Sequence, residues 1–507
     1  MADLVPLSPS TLRLLGLATV LLYTLLSSVV QYLRLRKIPG SRVAVWTNLW
    51  LMWHVTKEEP FHNARSRLAE KYGPVQRCGP NRVMFNDVSA IPFILGTANP
   101  IYPKADNHEP PKGYMNGSEV LSFVALRDDD KAARLKRNLH STFTANGVLV
   151  YEAHVDHTVS ELVSHLRAAG PATDLAKWMD WFAFDTIARI GFSEDQGFMR
   201  HQSDIGGAMQ ASIKRFQHWN LYWTVPKLEA ILFKNWWARD TKRPASGLMR
   251  LAKSAIDSRK AVGGLGTHHD LLDLYLASGE KDPELYTPST IIGITMTTMQ
   301  AGAETTAYTT AVCMYCLAEN PRALDALRKE IESVAPPTAS DWQLPPSADL
   351  RKLPYLEACV KESQRLRPAI NIPSERVVPR GGATIAGVDI PGETSVAMNT
   401  GGLYHDPAIF GDDVDVYRPE RWLDASDEQR ITMNRANLSF SAGKRMCLGI
   451  HVAWLEMRKV VAALVINFEL ELAHPERGLK QMPGIFAPPL EVLVRLSPRR
   501  VGDGQSL

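Results

Sequence analysis

A chain of 507 residues with 45% hydrophobic content holds enough apolar material for a large core. Its 57 Lys and Arg against 54 Asp and Glu leave a net charge of only +3, which excludes a general affinity for nucleic acid or other polyanions. Five cysteines (Cys78, Cys313, Cys316, Cys359 and Cys447) are an odd number without a paired framework, so a disulfide scaffold is excluded and a reducing compartment fits.

The first predicted element is a membrane anchor. Leu14 to Val30 is uncharged and rich in Leu, Val, Ala and Thr, at the short end of what crosses a bilayer, and a helix over about 12–32 extends it. Arg34, Arg36 and Lys37 follow directly, whereas Asp3 and Arg13 cancel before it, so the rest of the chain is expected on the cytosolic side. Basic residues after the apolar run, with no small-x-small cleavage pattern, argue against a removed secretory signal. Ile38-Pro39-Gly40 then reads as a stiff linker. The expected division is residues 1–37 as anchor and basic flank and 38–507 as a cytosolic catalytic domain, where the sequons at Asn116 and Asn437 carry no meaning.

Lys71 to Asn86 predicts two short strands around Gly79-Pro80. Long amphipathic stretches at 286–334 and 353–367 predict helices, while 263–267 and 334–346 read as surface loops. Cys313 and Cys316 fall in the first of those helices and read as small buried hydrophobes rather than a redox pair. The same helix carries Ala301-Gly302-Ala303-Glu304-Thr305-Thr306. A mid-helix glycine costs about 1 kcal/mol against alanine, so Gly302 serves either close helix packing or room for a ligand. Adjacent Glu304 and Thr305, an acid and a hydroxyl, can hold water and relay protons.

Glu362 and Arg365 sit three apart on the next predicted helix and can pair on one face, and Pro368 stops that helix. Ala383 to Met398 predicts a hairpin turning at Gly387 and Pro391-Gly392. Arg418-Pro419-Glu420-Arg421-Trp422 follows, and then Phe440-Ser441-Ala442-Gly443-Lys444-Arg445-Met446-Cys447-Leu448-Gly449 ahead of an apolar helix. That loop presents one cysteine between glycines that permit unusual backbone angles and close approach of a flat ligand. The following helix N-terminus is expected to lower the thiol pKa, and Arg445 offers a cation suited to a carboxylate.

The order Phe-x-x-Gly-x-Arg-x-Cys-x-Gly resembles the haem-ligand loop of the cytochrome P450 family, and the upstream motifs repeat the resemblance. It implies a mainly α fold with a small β-rich lobe, here behind a single N-terminal transmembrane helix, with residues 38–507 as a haem-thiolate monooxygenase domain. It implies haem b with Cys447 as axial iron ligand, seated by Phe440, Gly443, Arg445 and Gly449. In the Pro373-Ser374-Glu375-Arg376 pattern, Arg376 would meet a haem propionate. Lys131 to Phe143 resembles a helix that usually carries an aromatic residue and an arginine four apart. Ala132 and Lys136 occupy those places, which leaves Lys136, its neighbour Arg137 or neither for the propionate. Glu362, Arg365 and Arg421 would form a buried structural network, and Thr305 with Glu304 would deliver protons on the distal side.

Pocket candidates are Met296, Thr298, Met299, Ala301, Ile370, Ile372, Ile485 and Phe486, mostly apolar, so a hydrophobic small molecule is expected and no cation or anion trap is visible. Lacking a flavin or nicotinamide fingerprint, the chain needs a separate NADPH–cytochrome reductase, with Lys444, Arg458 and Lys459 as candidate docking residues. Tyr404-His405-Asp406-Pro407 and the Asp-rich run before Tyr417 are similar to fungal endoplasmic-reticulum members that tailor terpenoids, polyketides or alkaloids. A desaturating, ring-forming or rearranging enzyme of the same fold, or a haem sensor without turnover, are the alternatives.

Overall fold

A computed structural model describes residues 8–499 apart from 58, 97–99, 116, 171, 241–244, 263–265, 267 and 336–342. Asn116 and most of both predicted surface loops therefore lie outside the described residues. Helices dominate, and the body is organised around one of them, Pro288–Glu319. Thr287 caps its first turn through Thr290 N–H, Pro288 occupies the first helical position, and nearly every later side chain is buried. This central helix packs lengthwise on Leu175–Phe192 and also against Gly247–Val262, Pro354–Leu366 and Ile450–Asn467. Cys313 and Cys316 are buried in it, as expected of small hydrophobes.

Strands are few and short. Val75–Gly79 and Arg82–Phe85 pair antiparallel around the Gly79-Pro80 turn. Ala383–Ile385 and Val388–Ile390 form the predicted hairpin, turning at Ala386-Gly387. Ser395–Met398, the last part of the stretch read as one hairpin, instead joins the first sheet between Arg82–Phe85 and Arg376–Val377. That sheet and the helices around it have their own apolar cluster, separate from the main core.

The amino-terminal helix runs Pro9–Arg34, with Ser8 as cap. Leu22, Leu25, Leu26, Val29 and Val30 are exposed on it. Among the described residues no helix is long and apolar enough to cross a membrane, and the side chains at 12–14, 17, 20 and 21 of the predicted span lie outside those described. The helix end is seated on the body rather than followed by a free linker. Arg77 donates to the carbonyls of Gln31 and Tyr32, and its own N–H bonds Pro39 O at 2.7 Å. A Cβ at Gly40 would fall 2.2 Å from Arg77 O, so that glycine is required by close approach.

Candidate active site

The cysteine loop leads into the helix Ile450–Asn467 and is closed by Cys447 N–H donating to Phe440 O at 2.9 Å. Gly443 has φ +66°, and a Cβ there would meet Leu95 O at 2.2 Å, so both conformation and contact demand glycine. Gly449 differs from expectation. Its φ of −84° is open to any residue, and a Cβ would find nothing within 4 Å, so open space borders the loop there. Phe440 is half-buried with its ring on Trp454.

Cys78, Cys313, Cys316 and Cys359 are buried, while Cys447 is exposed. Its thiol is nevertheless desolvated by surrounding protein, so the exposure is toward the interior. The expected net lowering of its pKa is not found: burial pushes the thiol up, and Gly449 N–H and the Lys136 charge pull it only partly back. A single N–H and one cation do not offset loss of water around an anion.

Four cations converge beside this loop. Arg445 pairs with Asp129 at 2.6 Å and donates to the carbonyls of Arg127 and Asp128. Lys136 Nζ donates at 3.0 Å to both Lys444 O and Met446 O, while Arg137 is exposed. Ala132 is buried beneath. Arg376, buried, has the carbonyls of Ser374 and Glu375 as its side-chain partners among the described residues. Lys104 was not legible in the sequence. It reaches the cluster because residues 104 and 376 form an antiparallel bridge, and its Nζ donates to the carbonyls of Phe123 and Val124.

Burial and repulsion depress three of them: Arg376 to about 10, by burial and then Arg445; Lys104 well below its ordinary value for the same reasons plus Arg376; and Lys136 by burial and then Arg445. Among the described residues no carboxylate lies within ion-pair distance of Lys104, Lys136 or Arg376, so the array favours an added anion. A dicarboxylate cofactor beside an inward thiol fits these residues.

Across the interior, the central helix shows one break in its burial. Ala301 is exposed and Thr305 half-buried between buried neighbours, and Thr305 Oγ1 donates to Ala301 O at 2.8 Å. Gly302 turns elsewhere: a Cβ there would lie 2.7 Å from Ile187 Cδ1, so it serves helix packing, and Ala301 with Thr305 supplies the open face. Glu304 is buried; desolvation and then the Asp180 carboxyl push it up to about 8, with Ser212 opposing. Half-buried Asp180 is itself raised to about 7 by burial and then Asp174. Glu304 therefore holds a proton at neutral pH and can donate it.

The pH consequence follows from linkage. Above 4.5 the unfolded Glu304 releases its proton while the folded one keeps it to about 8, so folding loses stability across that window. Glu304→Gln removes this term, and its stability relative to wild type should rise from pH 5 to 8. Denaturant midpoints measured over that range check it, and a difference flat with pH would refute the buried proton.

Of the pocket candidates, Ile370 and Ile372 are half-buried and Phe486 stacks on Phe216 at 4.2 Å between ring centroids. Residues 370 and 486 are joined by a bridge, with Ile485 buried alongside. Met296 lies under the helix Ala208–Tyr222. Met299 does not join them: it is buried in the core on the opposite side of the helix from Ala301, and Met296, also buried, is turned about 140° from Ala301. Thr298 is also diverted, sharing a 2.8 Å hydrogen bond with Tyr275 OH.

The Glu362 network lies behind the cysteine loop. Glu362 is fully buried and accepts from Arg365 Nη2 and Arg421 Nε at 2.8 Å each, from Arg365 Nε at 3.0 Å and from Trp422 Nε1 at 2.9 Å. Trp422 is a member the sequence did not single out. Of the expected docking cations, Lys459 is buried between Glu152 and Asp156 and Arg458 pairs with Glu357, leaving Lys444 exposed.

A family model described as Cytochrome P450 matches residues 39–496. The chain is 31% identical over 484 residues to cytochrome P450 monooxygenase cicH of Emericella nidulans, covering 92% of this chain and 94% of that protein. It is 31% identical over 460 residues to a cytochrome P450 monooxygenase of Aspergillus terreus, with 88% and 92% covered. It also resembles cytochrome P450 monooxygenase mpaDE' of Penicillium brevicompactum, 32% identical across 90% of this chain but 54% of that longer protein.

Proposed function

The chain belongs to the cytochrome P450 family, and from that premise we propose that it inserts one oxygen atom into a hydrophobic small molecule in fungal secondary metabolism. The fungal relatives support the setting. The carrying observation is that Cys447, exposed by area yet desolvated, stands beside a cation cluster, while the central helix interrupts its burial at Ala301 and Thr305. Haem, when bound, supplies the activation of O2 with electrons from a separate NADPH-linked reductase.

In this reading Cys447 Sγ is the iron ligand, and Phe440, Gly443 and Gly449 shape the surface that receives the ring. Arg376, Arg445, Lys104 and Lys136 hold its propionates by charge-assisted hydrogen bonds. Glu304 stores a proton, Thr305 Oγ1 passes it on through water, and the apolar wall of Ile370, Ile372 and Phe486 orients substrate and excludes solvent. Turnover with reductase, NADPH and isotopically heavy dioxygen on terpenoid, polyketide and alkaloid scaffolds should give products carrying one heavy oxygen. Products that are only desaturated or rearranged would overturn the insertion chemistry.

The proposed setting is the endoplasmic reticulum membrane, with residues 12–32 as a single span and the catalytic body facing the cytosol. The exposed apolar surface of Pro9–Arg34 supports it, as does a second exposed group formed by Ile231, Leu232, Trp236 and Trp237. The full chain should stay with microsomal membranes in alkaline carbonate, with its body open to added protease. Release into the supernatant would refute the anchor.

A further inference from the structure

We propose that Arg215 is an anion-recognition residue in the roof of the substrate chamber, and that the substrate is a hydrophobic molecule bearing a carboxylate. The inference rests on the chamber reading given above. The roof helix Ala208–Tyr222 turns Ala208, Ser212, Phe216 and Trp219 inward, and position 215 belongs to the same helical stripe. A guanidinium therefore stands where the pattern calls for an apolar side chain.

Its surroundings do not satisfy it. Nη2 donates to Pro111 O at 2.7 Å, Nη1 lies 3.9 Å from the weakly accepting sulfur of Met296, and among the described residues no carboxylate is within ion-pair distance. Desolvation alone, with no charge opposing it, pulls its pKa to about 10. Three buried guanidinia elsewhere are provided for: Arg82 by Glu375, Arg259 by Asp270 and Asp273, Arg77 by a ring of backbone carbonyls. Arg215 is half-buried rather than sealed in, so donors of its fork stay accessible.

Holding the loop at Pro111 does not explain the charge. The same loop is already tied to this layer by Trp219 Nε1 on Asn107 O at 3.2 Å and Lys234 Nζ on Pro110 O at 3.1 Å. The neighbouring Phe216–Phe486 stack supplies an apolar flank. A carboxylate would take the planar fork in two parallel hydrogen bonds. Met296 precedes Ala301 by five residues, about 7.5 Å along the helix axis and about 140° around it, so the carboxylate would sit to the side of the Ala301–Thr305 face, with the carbon to be oxidised at the opposite end of the substrate.

The test compares a panel of hydrophobic carboxylic acids with their methyl esters on the full-length holoenzyme, by Soret-shift titration and by calorimetry. Wild type should bind at least one acid roughly 10- to 100-fold more tightly than its ester. Arg215→Met should abolish that preference, and Arg215→Lys, which keeps charge but loses the fork, should retain part of it. No acid outbinding its ester, whether both bind or neither does, would overturn the proposal, as would a preference that persists in Arg215→Met. The reduced carbon monoxide spectrum of each protein separates this failure from failure of the haem reading, and calorimetry reports binding without relying on the haem.

Discussion

Glu362→Ala is expected to cost about 3–5 kcal/mol of stability and to leave little haem-loaded protein. The carboxylate is fully buried and is the only acid within ion-pair distance of Arg365 among the described residues. Arg421 keeps Asp413 at 2.8 Å but loses its second acid. Truncation therefore leaves the Arg365 guanidinium without an acid and unties Trp422 Nε1; Arg365 keeps the carbonyls of Tyr404 and Val414, and Arg421 that of Phe410. Glu362→Gln keeps the shape but not the charge, and should fall between. Denaturant unfolding and haem content per chain read the effect, and a variant with the wild-type midpoint would show that the network is not what holds this region.

The second large effect is a contrast within the cysteine loop. Gly443→Ala forces a side chain into left-handed backbone, at about 1–2 kcal/mol, and drives its Cβ into Leu95 O, an overpacking cost of about 1–3 kcal/mol. Backbone on both sides leaves little room to yield. Gly449→Ala meets neither obstacle, since its φ is ordinary and no heavy atom lies within 4 Å. Its methyl group instead projects into the open space that borders the cysteine loop. Gly443→Ala should thus lose stability, while Gly449→Ala should fold normally and hold haem poorly. Equal stability loss in both would mean that the two glycines do the same structural work.

Much of the site was legible because it is written in local spacing. Glu362 and Arg365 share a helix face, Gly443 and Cys447 share a loop, and Thr305 follows Glu304 directly. What escaped depends on distant partners. Lys104 joins Arg376 only through a sheet-edge bridge, Asp180 reaches Glu304 from a neighbouring helix, and Arg215 looks like any surface-helix arginine until loop and helix close around it. The misjudged residues have the same cause. Lys459 reads as a solvated cation yet is buried between two acids, and Met299 shares the motif's neighbourhood in sequence but faces away from it. The hairpin was half legible because local turns predict pairing between neighbours, whereas Ser395–Met398 pairs with a strand more than three hundred residues earlier.

The central claim is that Cys447 holds the haem iron as thiolate. The reduced, carbon monoxide-bound absorption spectrum of the purified protein, recorded beside Cys447→Ala, tests it most directly. A strongly red-shifted Soret band in wild type that is lost in the variant is the predicted result. A wild-type protein without a haem band, or a band unchanged by the substitution, would contradict the assignment and the chemistry derived from it.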